Sequence, residues 1–215
     1  MEQKVVREIT KEQTKDLVKS IAFEHYACEI SSIKYVGGGS FGYVYKVEIP
    51  VMPCKLIVKA CRVSGMHQSE ATALRALRAD SLIHIPKVYF TVDASDDMPM
   101  DFIVEEYVAG TDCFTDFKKL LASKRKKQQF ASQIVDALAH WHSKTNDKFG
   151  SLDNPQYDRW LDFYKPFAKD ILDTAIQMHK DRKINNKTIQ TMQIAWENFD
   201  KIFSEPIGSA SLIKV

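Results

Sequence analysis

The chain of 215 residues carries 30 basic and 28 acidic side chains, a net charge of +2 that gives no electrostatic reason to expect nucleic acid or an anionic membrane as partner. With 45% hydrophobic residues it can bury a proper core, yet nowhere do about 18 apolar residues run together, so no membrane span is expected. Cys28, Cys54, Cys61 and Cys113 form no C-x-x-C pair, and the N-terminus opens on charged residues without an apolar stretch behind them; neither a zinc site, a disulfide framework nor export is indicated, and a cytoplasmic location is expected.

Thr10-Lys11-Glu12-Gln13 has the form of a capping box, in which the Thr hydroxyl and the Gln amide satisfy free backbone groups of a first helical turn. Leu17, Val18, Ile21 and Ala22 then recur near helical spacing and predict a helix over 11–25, within an N-terminal extension taken as 1–32. From Ile33 the pattern changes to short β-type runs at 33–36, 43–49 and 55–60, separated by a glycine cluster and by Pro50 and Pro53. A helical pattern over 68–79 interrupts them, with Ala71, Leu74, Leu77 and the stem of Arg78 on one side. Two further strands follow at 87–92 and 101–107. After Gly110 the pattern predicts helices only, over 114–122, 126–143, 158–180 and 186–203. This order predicts an α+β lobe over 33–108, with five antiparallel strands and one helix, followed by an α-helical lobe over 109–215.

Gly37-Gly38-Gly39-Ser40-Phe41-Gly42-Tyr43-Val44 matches G-x-G-x-x-G-x-V, where glycines let backbone amides approach phosphate oxygens that any Cβ would obstruct. A dinucleotide-binding fold uses the same spacing but enters a helix afterwards. Here the β-branched and aromatic run from Tyr43 to Ile49 makes the glycines a hairpin between two strands, as in kinases. Leu56-Ile57-Val58-Lys59 is an apolar strand ending in a lysine that can reach nucleotide phosphates, and Glu70, early in the next helix, is the natural anion to hold it. Phe102-Ile103-Val104-Glu105-Glu106-Tyr107-Val108-Ala109-Gly110 is an apolar strand running into a connection whose free backbone, from Glu105 through Glu106, Tyr107 and Val108, is a candidate to hydrogen-bond an adenine edge.

Taken together, these residues resemble the aminoglycoside phosphotransferase and choline kinase-like family, which shares the protein kinase fold. The resemblance rests on residues 37–44, on Lys59, Glu70 and the segment 105–110, and on the helix ending Ala137-Leu138-Ala139-His140-Trp141-His142. Phe149-Gly150-Ser151 followed by Tyr157, Trp160, Tyr164 and Pro166 also belongs to it. It implies ATP or GTP bound between two lobes through Gly37, Gly38, Gly39, Ser40, Phe41, Gly42, Val44, Lys59 and Glu70, with the γ-phosphate passed to a hydroxyl of a small molecule. The acceptor stays open among aminoglycosides, choline, homoserine, macrolides and other sugars or amino alcohols.

Phosphoryl transfer also needs an aspartate to take the substrate proton, and an asparagine and a second aspartate to hold Mg2+. In the family these lie in H-G-D-x-x-x-x-N and a following aspartate motif, and neither occurs in these residues. Asp147-Lys148-Phe149-Gly150 is no substitute, because an inserted lysine spoils D-F-G. His140 and His142 lie two apart on a helix and point in different directions, so no metal pair is expected. The basic run Lys124-Arg125-Lys126-Lys127 reads as a solvated helix start. The resemblance thus predicts a helical lobe that is incomplete, a shortened chain that keeps nucleotide contacts but has lost transfer, and an exposed apolar surface open to self-association. Two alternatives stay open: a pseudokinase-like nucleotide-binding module with a regulatory or scaffolding purpose, and an enzyme that recruits carboxylates from Asp153, Asp158 or a second subunit. Tyr157, Trp160, Asp162 and Glu197 are the residues available to an acceptor in the helical lobe.

Overall fold

A computed structural model of the chain describes residues 9–110, 123–205 and 207–211. It divides into two compact units, Met1–Ala137 and Leu138–Val215. The predicted helix over 114–122 lies outside the described residues, as does Cys113.

The first unit opens with α1, Lys11–Tyr26, whose capping box forms as the sequence implies: Gln13 N–H donates to the Thr10 hydroxyl at 3.3 Å, and Gln13 Oε1 accepts from Thr10 N–H at 3.0 Å. The helix ends at Ala27, which takes a left-handed conformation and donates its N–H to Phe23 O. Five antiparallel strands follow: β1 Ser32–Gly39, β2 Gly42–Glu48, β3 Lys55–Cys61, β4 Val88–Val92 and β5 Asp101–Glu106. They pair in the order β1-β2-β3-β5-β4, with α2, Met66–Ala79, inserted between β3 and β4.

Alternation along the strands explains the two layers that cover this sheet. Tyr45 and Val47 of β2, Leu56, Val58 and Ala60 of β3, and Phe102 and Val104 of β5 face Val18, Ile21 and Ala22 of α1 in one core. Val88 and Ile103 point the other way, onto Ala71 and Leu74 of α2. A central strand covered on both faces has no polar side to show, which is why Phe102, Ile103 and Val104 are all fully buried. The first glycines belong to β1 itself, extending it beyond the expected 33–36, because a bulge between Tyr35 and Gly37 restores pairing and leaves only Ser40 and Phe41 in the turn.

In the second unit, α4, Trp160–Lys180, packs on α5, Asn186–Glu197, through Leu172, Ala175 and Ile189, with Ile176, Met192 and Trp196 at the margin. The helix α3, Lys124–His142, runs up to and past the point of division, and its first residues, the basic run, are exposed. The chain beyond Gly110 is not wholly helical as expected. β6 Thr145–Asn146 pairs with β9 Ala210–Ser211, and β7 Phe149–Ser151 with β8 Asn154–Tyr157. Gly150 in β7 sits at φ 144°, where a Cβ would lie 3.0 Å from Asn154 O, so the Phe149-Gly150 pair serves a hairpin. The expected helix over 186–203 breaks at Asn198, whose side-chain amide donates to Ile194 O at 2.9 Å, and one further turn, α6 Phe199–Ile202, restarts beyond it. Among the described residues no helix is long and apolar enough to cross a membrane.

Candidate functional site

The four glycines of the β1–β2 hairpin divide by physical role. A Cβ on Gly42 would lie 2.1 Å from the carbonyl oxygen of Ala60 in the neighbouring strand, and one on Gly38 would lie 2.6 Å from Gly42 O. Both positions are glycine because the sheet itself leaves no room. Gly37 and Gly39 are different, since a Cβ at either would meet nothing within 4 Å. Packing does not require glycine there, and neither residue has the left-handed φ that would. Pairing sets Gly37 opposite Val44, and Val44 opposite Lys59, so the space beside Gly37 opens on the face of the sheet that carries the lysine. Ser40 and the exposed Phe41 form the turn, and Phe41 O accepts from Arg62 N–H at 2.8 Å.

Lys59 leaves β3 toward α2, and its Nζ donates to Glu70 Oε1 at 2.6 Å. The expected Lys59–Glu70 ion pair is therefore present. A second carboxylate completes the cluster: Glu105 Oε2 of β5 lies 3.0 Å from the same ammonium. The register explains this contact, because Lys59 pairs with Ile103 and Ile57 with Glu105, which places Lys59 and Glu105 on one face as diagonal neighbours. Glu105 is only 3% exposed. Its Oε1 is buried with no hydrogen-bond partner among the described residues.

One ammonium thus faces two carboxylates, and the titration of Lys59 and of Glu105 is shifted by the arrangement. Burial opposes the charge on Lys59, but the Glu70 hydrogen bond and the Glu105 and Glu70 charges outweigh it and hold the ammonium above its ordinary value. Burial also pushes the Glu105 carboxyl above the usual carboxylate range, and the Lys59 charge only partly offsets that, with Glu70 adding like-charge repulsion. Cys61, two residues along the strand, is pushed up to about 12 by burial first and by the carboxylates second. Its thiol stays protonated and is no nucleophile.

The start of α2 is anchored by polar groups that sequence patterning alone does not single out. Asp101 is 4% exposed and accepts from Gly65 N–H at 3.1 Å and Ala94 N–H at 2.8 Å. His67, 2% exposed, makes a 2.6 Å contact through Nε2 with Asp93 Oδ1, and Gln68 donates to the same oxygen at 3.1 Å. These contacts tie the first turn of α2 to the β4–β5 turn, three residues before Glu70, and fix where that carboxylate points.

The connection after β5 is narrower than the sequence implies. Glu105 is paired on both sides, to Ile57 and to Val88, so its backbone is taken up by the sheet and its contribution is the side chain. Glu106 N–H donates to Lys87 O at 2.8 Å, while its carboxylate accepts from Lys87 N–H at 3.0 Å and lies 3.2 Å from His84 and 3.4 Å from Arg78. Tyr107 and Val108 are the residues of this segment outside the strand, with Lys46 over the Tyr107 ring at 4.8 Å.

In the second unit Trp160 stacks on Tyr164 with centroids 4.4 Å apart, Tyr157 lies against Phe163, and Asp162 pairs with Arg159 at 3.8 Å. Asp158 pairs with Lys148, and hydrogen bonding, first from Ser151, holds Asp153 below the usual carboxylate range. Among the described residues no group of three or more His, Cys, Asp or Glu side chains is arranged to hold a metal ion.

A family model described as fructosamine kinase matches residues 12–213. Among solved structures, a protein of Thermobifida fusca described as a fructosamine-3-kinase is similar over 90% of this chain and 64% of its own, at 16% identity and a TM-score of 0.51. A protein of Ralstonia eutropha described as an aminoglycoside phosphotransferase aligns over 45% of this chain and 28% of its own, at 16% identity and a TM-score of 0.35. Among curated proteins, the mitochondrial protein of Candida dubliniensis named altered inheritance of mitochondria protein 9 is 24% identical over 135 residues, which are 57% of this chain and 22% of that protein.

Proposed function

We propose, from the premise that this chain belongs to the fructosamine kinase family, that residues 37–108 form a site for the phosphates and base of a nucleoside triphosphate. In the family that triphosphate would be ATP or GTP, and its γ-phosphate would pass to a hydroxyl of a fructosamine or a related amine-linked sugar. The observation that carries the reading is the lysine held by Glu70 on the face where Gly37 and Gly39 leave room for phosphate oxygens. The groups present fit a nucleotide: backbone amides of the hairpin and the Lys59 ammonium for phosphates, and the backbone of Tyr107 and Val108 for a base edge. They do not fit Mg2+, since no group of three or more His, Cys, Asp or Glu side chains arranged to hold a metal stands among the described residues. Positioning and charge stabilisation supply nearly all the catalysis in phosphoryl transfer, and these 215 residues contain no H-G-D-x-x-x-x-N sequence. The polypeptide by itself therefore binds nucleotide and transfers nothing.

Thermal unfolding with and without Mg-ATP tests this reading. Saturation at about one hundred times the dissociation constant adds about 2.7 kcal/mol to stability, a shift of several degrees. Lys59→Ala loses most of it. An unchanged midpoint for the wild-type chain at millimolar ATP refutes nucleotide binding, and appearance of phosphorylated product with this polypeptide alone refutes its catalytic incompetence.

A further inference from the structure

The cluster around Lys59 has one charge too many for a site that receives phosphates. Lys59 offers a single ammonium, and Glu70 and Glu105 already share it at 2.6 and 3.0 Å. A triphosphate brought beside them meets a net negative charge and competes for a cation that is spoken for. One of the two carboxylates must give up its charge or its lysine, and the structure distinguishes them. Glu70 stands on a helix with its side chain 36% exposed, so water can solvate it if the ammonium moves. Glu105 stands mid-sheet with its side chain 4% exposed and one oxygen without a hydrogen-bond partner among the described residues, so neither water nor motion can compensate it.

Resting on the nucleotide reading above, we propose that Glu105 is a positioning residue for the phosphates. It holds Lys59 in the geometry observed, and takes up a proton from solvent when the phosphates draw the ammonium away. The step balances simply: the Lys59 N–H hydrogen bond passes from Glu105 to a phosphate oxygen, an O–H bond forms on the Glu105 carboxyl, and the proton comes from the buffer. The titratable groups facing Glu105 are Lys59 and Cys61 of β3 and Glu70 of α2, while β4 sets the apolar Val88 opposite it. Cys61 stays protonated throughout and Lys59 stays charged, so Glu105 is the group left to respond. Burial already favours its neutral form, and loss of the ammonium favours it further, so protons are taken up on binding and affinity falls as pH rises.

The test is titration calorimetry of ATP in buffers of different ionisation enthalpy, across pH, on the wild-type chain, Glu105→Gln and Glu70→Gln. The nucleotide's own titration is common to all three and cancels in their difference. The expected result is greater proton uptake by the wild type and by Glu70→Gln than by Glu105→Gln. Glu105→Gln keeps only the proton exchange that belongs to the nucleotide, and also binds on the order of tenfold more tightly because a nearby like charge is gone. Saturable binding in which the wild type takes up no more protons than Glu105→Gln overturns the role of Glu105 and leaves the nucleotide site standing. So does an uptake that Glu105→Gln keeps in full and Glu70→Gln reduces. No saturable binding by the wild type at any pH overturns the nucleotide site and this role with it.

Discussion

Replacing Gly42 by alanine separates the two kinds of glycine in the hairpin. The added Cβ would lie 2.1 Å from Ala60 O and 3.1 Å from Ala60 C, against about 3.3 Å for the closest ordinary carbon–oxygen contacts. The oxygen belongs to backbone paired from Gly42 opposite Cys61 to Glu48 opposite Lys55, so no side-chain rotation relieves the contact and β2 and β3 must separate by more than an ångström. Overpacking of this kind costs about 1–3 kcal/mol, and for a unit of this size each kcal/mol lowers the midpoint by about 4 °C, so Gly42→Ala should melt roughly 4–12 °C below wild type. Gly37→Ala meets no atom within 4 Å and should melt within about 2 °C of wild type, while losing the stabilisation by ATP. Scanning calorimetry of the two variants, each with and without nucleotide, reads both effects. Equal midpoints for Gly42→Ala and wild type, or equal destabilisation by the two alanines, would refute the division.

Ile21→Ala should cost about 2–5 kcal/mol in urea unfolding, because Ile21 is 1% exposed in the core that α1 shares with β2, β3 and β5; a loss under about 1 kcal/mol would detach α1 from that core. Asp101→Asn leaves one acceptor oxygen for two amides and should cost about 1–3 kcal/mol, with faster hydrogen exchange at Gly65 or Ala94; unchanged protection at both would contradict the anchoring of α2.

What the sequence revealed about the site was what lies close along the chain. The glycine run followed by β-branched residues marks a hairpin, and the apolar strand ending in Lys59, followed by a helix with an early glutamate, marks the ion pair. Glu105 was legible only as backbone, because its meeting with Lys59 depends on the pairing of β3 with β5, strands distant along the chain whose register no local pattern records. The signal was present in kind: a glutamate closing a run of three apolar residues is a charge the sheet must bury, and a buried carboxylate needs a cation. The small hairpin of β7 and β8 hid for a different reason, since Asn154-Pro155-Gln156 is poor strand composition and only the tight contact at Gly150 discloses it. At Asn198 a side-chain hydrogen bond to the preceding turn ended a helix whose apolar spacing continues beyond it.

The nucleotide site is tested most directly by the equilibrium affinity of Mg-ATP for the purified chain, compared between wild type and Lys59→Ala at fixed salt. Saturable binding to one site per chain is expected, weakened at least tenfold by removing the ammonium that Glu70 and Glu105 hold in place. Binding that Lys59→Ala leaves unchanged, or no saturable binding by the wild type, would contradict it.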